Sequence, residues 1–115
     1  MIIPIKPMSV NGAWQGKRFK TQAYKKYERD CAKLLTQMTV PQGEFCLVLE
    51  FGVSNNAFDY DNGIKPFQDI LQKRYGFDDK RITKALITKV VVPKGKEYIS
   101  FEFFKDLAIA AINGG

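Results

Sequence analysis

The spacing of hydrophobic and polar positions changes several times along the chain, and each change marks an element. Residues 2–6 are a short apolar run, as in a strand. Across residues 19–38, apolar side chains recur every three or four positions, which predicts an amphipathic helix that ends before Pro41 and Gly43. Residues 44–52 alternate between apolar and polar, which predicts a half-buried strand.

Turn-forming residues and a second apolar stripe define the other elements. Proline, asparagine and glycine predict a loop over residues 7–18, and the stripe predicts a helix over about residues 61–75. Residues 86–92 and 98–104 are predicted to be two strands of a closing hairpin, joined by a Pro-Lys-Gly-Lys turn. The apolar tail over residues 106–112 is a candidate short helix.

The predicted order β-α-β-α-β-β defines an α+β domain, with a small mixed or antiparallel sheet packed by two helices. We expect the 115 residues to form one domain, residues 1–115, because two domains of half that length would each bury too little apolar surface. Hydrophobic residues make up 45% of the chain, which is enough for an ordinary globular core.

The composition restricts the chemistry. With 18 Lys and Arg against 12 Asp and Glu, the chain carries a net charge of +6, which favours a polyanionic partner. The absence of histidine excludes imidazole catalysis and His-containing zinc sites. Cys31 and Cys46 form no CxxC motif, and we expect both to be reduced packing residues. Catalysis would therefore rest on carboxylates, lysines or hydroxyls. The sequence has neither a signal-peptide pattern nor a membrane-spanning apolar stretch, which predicts a cytoplasmic protein without a membrane partner.

Acidic residues on either side of the second predicted helix carry the most specific chemistry. Asp59 and Asp61 lie two residues apart just before the helix, so both carboxylates can point to one side. Lys65 follows Asp61 by four residues and projects on the same helical face. Asp78 and Asp79 follow the helix. Converging carboxylates with a lysine suit Mg²⁺, with Mn²⁺ as a substitute, and such an ion promotes phosphoryl transfer.

Each of these residues also has a purely structural interpretation. Asp61 would cap the second helix or form an ordinary surface ion pair with Lys65. Asp78 and Asp79 would lie in a solvated turn. Carboxylates at a helix C-terminus oppose the helix dipole, however, and this favours a bound cation at that position.

The joint spacing of these residues resembles that of a known family. The stretch Asp59-Tyr60-Asp61-Asn62-x-x-Lys65-Pro66, followed by Asp69 and Asp78-Asp79-Lys80-Arg81-Ile82, looks like the core of the RusA-type Holliday junction resolvases. Ser9-Val10-Asn11 with Trp14, and Tyr24 in the first predicted helix, is similar to the opening segment of that family. The resemblance covers nearly the whole chain.

The resemblance implies a magnesium-dependent endodeoxyribonuclease that acts as a homodimer on four-way junction DNA and cuts it symmetrically. Asp59, Asp61 and Asp79 match the metal-binding acids of the family, and Lys65 matches its essential lysine. Asp78 is an alternative to Asp79. The implied location is the cytoplasm of a bacterial cell, and both a phage and a bacterial origin stay open.

Basic and aromatic residues near these acids are candidates for DNA contacts. Basic side chains there would offset the repulsion between a carboxylate site and phosphate. The alternative for the basic residues is a solvated helix face. Trp14 and Phe58 suit either stacking at the open centre of a junction or packing in the protein. The candidate nucleic-acid-binding residues are Asn11, Trp14, Lys17, Arg18, Lys73, Arg74, Lys80 and Arg81.

Two other functions stay open. One is a non-catalytic nucleic-acid- or protein-binding module of recombination, whose acids are structural. The other is a metal-dependent nuclease for flap or RNA substrates. A metal nuclease requires Asp59, Asp61 and Asp79 to converge within metal-binding distance, whereas a binding module does not.

Overall fold

The computed structural model describes residues 1–16 and 19–105, which form a mixed α+β fold as predicted. Four strands make one sheet in the order β1-β6-β4-β5, and β2 and β3 make a separate two-stranded sheet. The elements of the described residues are β1 (Ile2–Ile3), α1 (Val10–Ala13), β2 (Trp14–Gln15), β3 (Phe19–Lys20), α2 (Gln22–Leu34), β4 (Phe45–Val53), α3 (Ile64–Tyr75), a 3₁₀ turn (Asp79–Arg81), β5 (Ile82–Val91) and β6 (Tyr98–Phe104).

The N-terminal third of the chain is more structured than its sequence predicts. The predicted loop over residues 7–18 contains α1 and β2, and the predicted helix over residues 19–38 is shortened to α2. The hydroxyl of Thr21 accepts a hydrogen bond from the backbone N–H of Tyr24 at 3.1 Å, and this cap sets the start of α2. The residues before Thr21 pair as β3 with β2 instead of continuing the helix.

β4 is the central strand of the main sheet, and this position makes the predicted closing hairpin wrong. β4 pairs in parallel with β5 on one side and antiparallel with β6 on the other. The turn between β5 and β6 does form, since the N–H of Lys96 donates to the carbonyl of Pro93 at 3.0 Å. Helix α3 is the crossover connection that makes the β4–β5 pair parallel. The turn after β5 then carries the chain past the end of β4, so that β6 pairs with the other side of β4.

Helices α2 and α3 cover one face of the sheet, and the core lies between the two layers. The predicted apolar face of β4 is confirmed, because Phe45, Leu47, Leu49 and Phe51 are fully buried. From α3, the ring of Phe67 packs on a neighbouring strand of the sheet. No helix of the described ranges is long and apolar enough to cross a membrane. The predicted helix over residues 106–112 lies outside the described residues.

The direction of α3 fixes the two ends of the domain. Gly63, just before α3, is so close to the ring of Phe51 that an added Cβ would lie 3.1 Å from it. Phe77, just after α3, has its ring centroid 5.2 Å from that of Phe45. Helix α3 therefore runs from the C-terminal end of β4 back to its N-terminal end.

Candidate functional site

Asp59 and Asp61 lie in a tight turn between β4 and α3. The N–H of Asn62 donates to the carbonyl of Asp59 at 3.0 Å, and the N–H of Ile64 donates to that of Asp61 at 3.3 Å. Both aspartate side chains are exposed to solvent. The turn therefore presents two carboxylates to solvent at the C-terminal end of β4.

Neither structural interpretation of Asp61 is borne out. The residue at the N-cap of α3 is Gly63, and no side chain caps the helix there. Lys65 pairs with Asp69 at 3.4 Å, one turn further along α3, and not with Asp61. In the part of the chain that the structure describes, the carboxylate of Asp61 takes part in no ion pair.

The N-terminal segment packs against this acidic turn. The N–H of Val10 donates to the carbonyl of Asn62 at 2.8 Å, which joins α1 directly to the turn. The ring of Trp14 contacts that of Tyr24 edge-on at 5.4 Å, and the hydroxyl of Tyr24 donates to the carbonyl of Pro66 at 3.1 Å. The structure thus brings the predicted opening segment, the two acids and the first turn of α3 to one end of the domain.

Asp79 lies at the opposite end of α3 from Asp59 and Asp61. The helix has 12 residues, so its axis is about 18 Å long. Within residues 1–16 and 19–105, no group of three or more His, Cys, Asp or Glu side chains is placed to hold a metal ion. A single chain therefore does not gather the three predicted metal ligands, and the joint metal site stays a prediction.

Asp78 has a structural role that its sequence position conceals. Its carboxylate accepts a hydrogen bond from the N–H of Lys80 at 2.9 Å and caps the 3₁₀ turn. This hydrogen bond, with another to Asp79, holds the pKa of Asp78 below its usual value. Helix α3 ends at Gly76 in a left-handed conformation, and Asp78 begins the next turn. The N–H of Lys80 therefore stabilises the Asp78 carboxylate without a bound cation.

The predicted DNA-binding residues lie in several separate places. Lys73 and Arg74 line a groove of about 510 Å³ between α2 and α3. Arg81 donates to the backbone carbonyls of Gly43 (2.8 Å) and Pro41, so it anchors the loop before β4. Lys80 is exposed on the 3₁₀ turn. Lys17 and Arg18 lie outside the described residues, and Asn11 is exposed on α1.

The exposed aromatic residues are not the predicted ones. Phe58 packs against Phe51 with ring centroids 6.3 Å apart, and Trp14 is half-buried on Tyr24. Phe19 and Tyr60 are instead 72% and 58% exposed. The sequence did indicate that Tyr60 would be exposed, because this residue lies between two acids that were expected to face solvent. The sequence contained no such signal for Phe19, because its position fitted the apolar spacing of the predicted helix.

Comparison with known proteins leaves the family unassigned. The chain matches no protein-family model, and no curated protein matches it. The resemblance to the RusA-type resolvases therefore rests on the residues quoted above.

Proposed function

We propose that this chain is a magnesium-dependent endodeoxyribonuclease that cuts four-way DNA junctions as a homodimer. The observation that carries the proposal is the acidic turn. Asp59 and Asp61 are exposed two residues apart, and no residue of the described ranges gives them the capping or pairing roles that would otherwise explain them. Lys65 follows in the first turn of α3. The opening segment that belongs to the same motif packs against this turn.

Asp59 and Asp61 have the chemistry to hold magnesium. Mg²⁺ is commonly bound through one or two protein carboxylates, with water and substrate phosphate completing its shell. A bound ion would neutralise charge on the phosphate and acidify a water molecule. The third acid of the motif, Asp79, is at the far end of α3, so a single chain offers two of the three carboxylates at this turn.

Lys65 is suited to contact the phosphate. Its side chain is 65% exposed, and its pairing with Asp69 is a surface contact of 3.4 Å. Such exposed pairs contribute little free energy, so Lys65 can leave Asp69 for a phosphate at small cost. There it would stabilise the negative charge that develops in the transition state.

The charge of the domain and its exposed aromatic residues suit a nucleic acid. The net charge of +6 favours phosphate binding, and Lys73 and Arg74 add exposed cations to α3. Phe19 and Tyr60 present exposed rings on which unpaired bases at a junction centre would stack.

A non-catalytic nucleic-acid-binding module is the second candidate. The observation that favours it is the separation of Asp79 from the other two acids by the length of α3. In that case the basic and aromatic surface would bind DNA, and the acids would take no part in chemistry.

Incubation with a synthetic four-way junction distinguishes the two candidates. A nuclease would nick the junction in magnesium and bind it uncut in chelator. A binding module would shift the junction in a native gel under both conditions and leave every strand intact. A linear duplex of the same sequence is the substrate control, and a flap and an RNA duplex test the other metal-nuclease substrates.

A further inference from the structure

Helices α2 and α3 leave a groove between them on the solvent side of the helix layer. The groove has a volume of about 510 Å³, and neither the acidic turn nor Lys65 lines it. Its floor is aliphatic, with Ala32 and Leu35 on the α2 side and Ile70 on the α3 side. Leu35 and Ile70 are anchored in the core, and Ala32 is exposed. The floor therefore offers a small apolar surface on a rigid base.

Cationic side chains stand along both walls of this groove. Lys25 and Arg29 lie one turn apart on α2, and Lys73 and Arg74 lie in the last turn of α3. All four residues are exposed. Within residues 1–16 and 19–105, Lys25, Arg29 and Arg74 take part in no ion pair. The walls thus present charges that the described part of the chain leaves unmatched.

Glu28 is the one carboxylate among the described residues that line the groove. It accepts a hydrogen bond from the amine of Lys20 at 2.9 Å, and the amine of Lys73 lies 4.0 Å away. Two amines therefore balance the charge of Glu28, and the walls keep a surplus of positive charge. A ligand that carries carboxylates would complement this surplus.

The shape of the groove favours a peptide over a nucleic acid. The axes of packed helices are about 8–10 Å apart, so the space between them is too narrow for a DNA duplex, whose major groove alone is about 12 Å wide. Single strands bind through bases stacked on aromatic rings, and none of the described lining residues is aromatic. Hydrated phosphates would also gain nothing from the aliphatic floor, whereas an apolar side chain would.

We propose that the groove between α2 and α3 binds a short acidic segment of a partner protein. An apolar side chain of that segment would lie on the floor, and its carboxylates would pair with the cations of the two walls. The volume is within the range of about 300–1,000 Å³ that is typical of sites for small ligands, and so suits a few side chains. The proposal does not rest on the nuclease function, since the acidic turn stays free when the groove is filled.

A peptide array tests the predicted chemistry of the ligand. The array carries every arrangement of aspartate and leucine in a hexapeptide, and two matched arrays replace aspartate by lysine or leucine by serine. We expect the protein to bind only peptides that contain both aspartate and leucine. Absence of binding to every such peptide would overturn the proposal. Equal binding to the aspartate–serine peptides would overturn it as well, because the apolar floor would then contribute nothing.

A charge reversal on one wall tests the location of the site. Arg29→Glu should weaken binding of the best array peptide, labelled with fluorescein and followed by anisotropy, by about tenfold, because attraction becomes repulsion. Lys33→Glu is the matched control, since it makes the same change of charge at an exposed position of α2 that does not line the groove. This control should bind as the wild type does, and equal losses in both variants would overturn the proposal.

Filling the floor separates the groove from a general basic surface. Ala32→Phe changes no charge, and the exposed position of Ala32 lets α2 keep its packing, which circular dichroism would verify. This variant should lose peptide binding, and an unchanged affinity would exclude the groove as the site. Oligothymidine is the nucleic-acid control. If it displaces the peptide from the wild type and also loses affinity in Ala32→Phe, the groove is a nucleic-acid site and the proposal is wrong.

Discussion

The hydroxyl of Tyr24 connects α2 to the first turn of α3. Removal of this hydroxyl should destabilise the end of the domain that carries Asp59 and Asp61. Tyr24 is fully buried, and its hydroxyl donates to the carbonyl of Pro66, the residue after Lys65. Burial, with the nearby carboxylates of Asp69 and Glu28, raises the pKa of Tyr24 far above its usual value, so the hydroxyl keeps its proton. Tyr24→Phe keeps the ring and deletes this one hydrogen bond.

The expected cost follows from the geometry. The carbonyl of Pro66 lies inside α3 and can still accept from the helical amide four residues on, so the loss is that of one neutral hydrogen bond, about 1 kcal/mol. For a domain of this size, that corresponds to a fall in Tm of about 4–8 °C. Urea denaturation followed by circular dichroism measures the free energy directly.

Tyr27→Phe is the matched control on the same helix. Tyr27 is 5% exposed, and no group among the described residues makes a hydrogen bond of normal geometry with its hydroxyl. Its removal should leave the free energy of unfolding unchanged or raise it, because an unsatisfied buried polar group is lost. Equal destabilisation by the two variants would refute the assigned role of the Tyr24–Pro66 hydrogen bond.

Four further predictions concern the site, the dimer and the core. Asp61→Asn should keep the fold and junction affinity and abolish cleavage, measured by native and denaturing gels; full nicking would contradict a metal role. Lys65→Ala should lower the cleavage rate by orders of magnitude with little loss of junction affinity, because one lysine is a small part of the total phosphate contact. A fall in affinity that matches the fall in rate would show that Lys65 is a binding residue only. Sedimentation equilibrium should give twice the 13.1 kDa of the chain, and an active species of 13.1 kDa would exclude the dimer. Burial raises the pKa of the Cys31 thiol from 9.0 to about 12. The contribution of the neutral thiol to stability is therefore complete below pH 9 and is lost as the pH rises towards 12. Urea midpoints that do not fall over that interval would contradict this prediction.

The sequence predicted the elements with long, regular periods. The α+β class, α3 and the buried face of β4 are confirmed because each rests on several apolar residues at one spacing. The bounds of α2 were wrong because the cap at Thr21 and the pairing of β2 with β3 depend on hydrogen bonds that periodicity does not report.

Strand neighbours could not be predicted. A short Pro-Lys-Gly-Lys turn between β5 and β6 suits a hairpin, but the crossover through α3 places β5 parallel to β4 and leaves β6 to pair on its other side. Local sequence fixes the turn, whereas the choice of neighbour depends on how α3 packs on the sheet.

The candidate site was predictable only in part. The spacing of Asp59, Asp61 and Lys65 placed all three near the start of α3, as observed. The position of Asp79 relative to these residues could not be predicted, because it depends on the direction in which α3 crosses the sheet. The cap formed by Asp78 was also missed, since it begins a 3₁₀ turn that no apolar period marks.

A plasmid carrying an extruded cruciform provides the most direct test of a dimeric junction nuclease. Two nicks made within one binding event convert the supercoiled circle directly to a linear molecule, whereas independent nicks accumulate as an open circle. With protein limiting and magnesium present, the proposed dimer predicts linear product from the earliest time points and none in chelator. Supercoiled plasmid that is bound but never cut, or open circle as the only product, would contradict the proposed function.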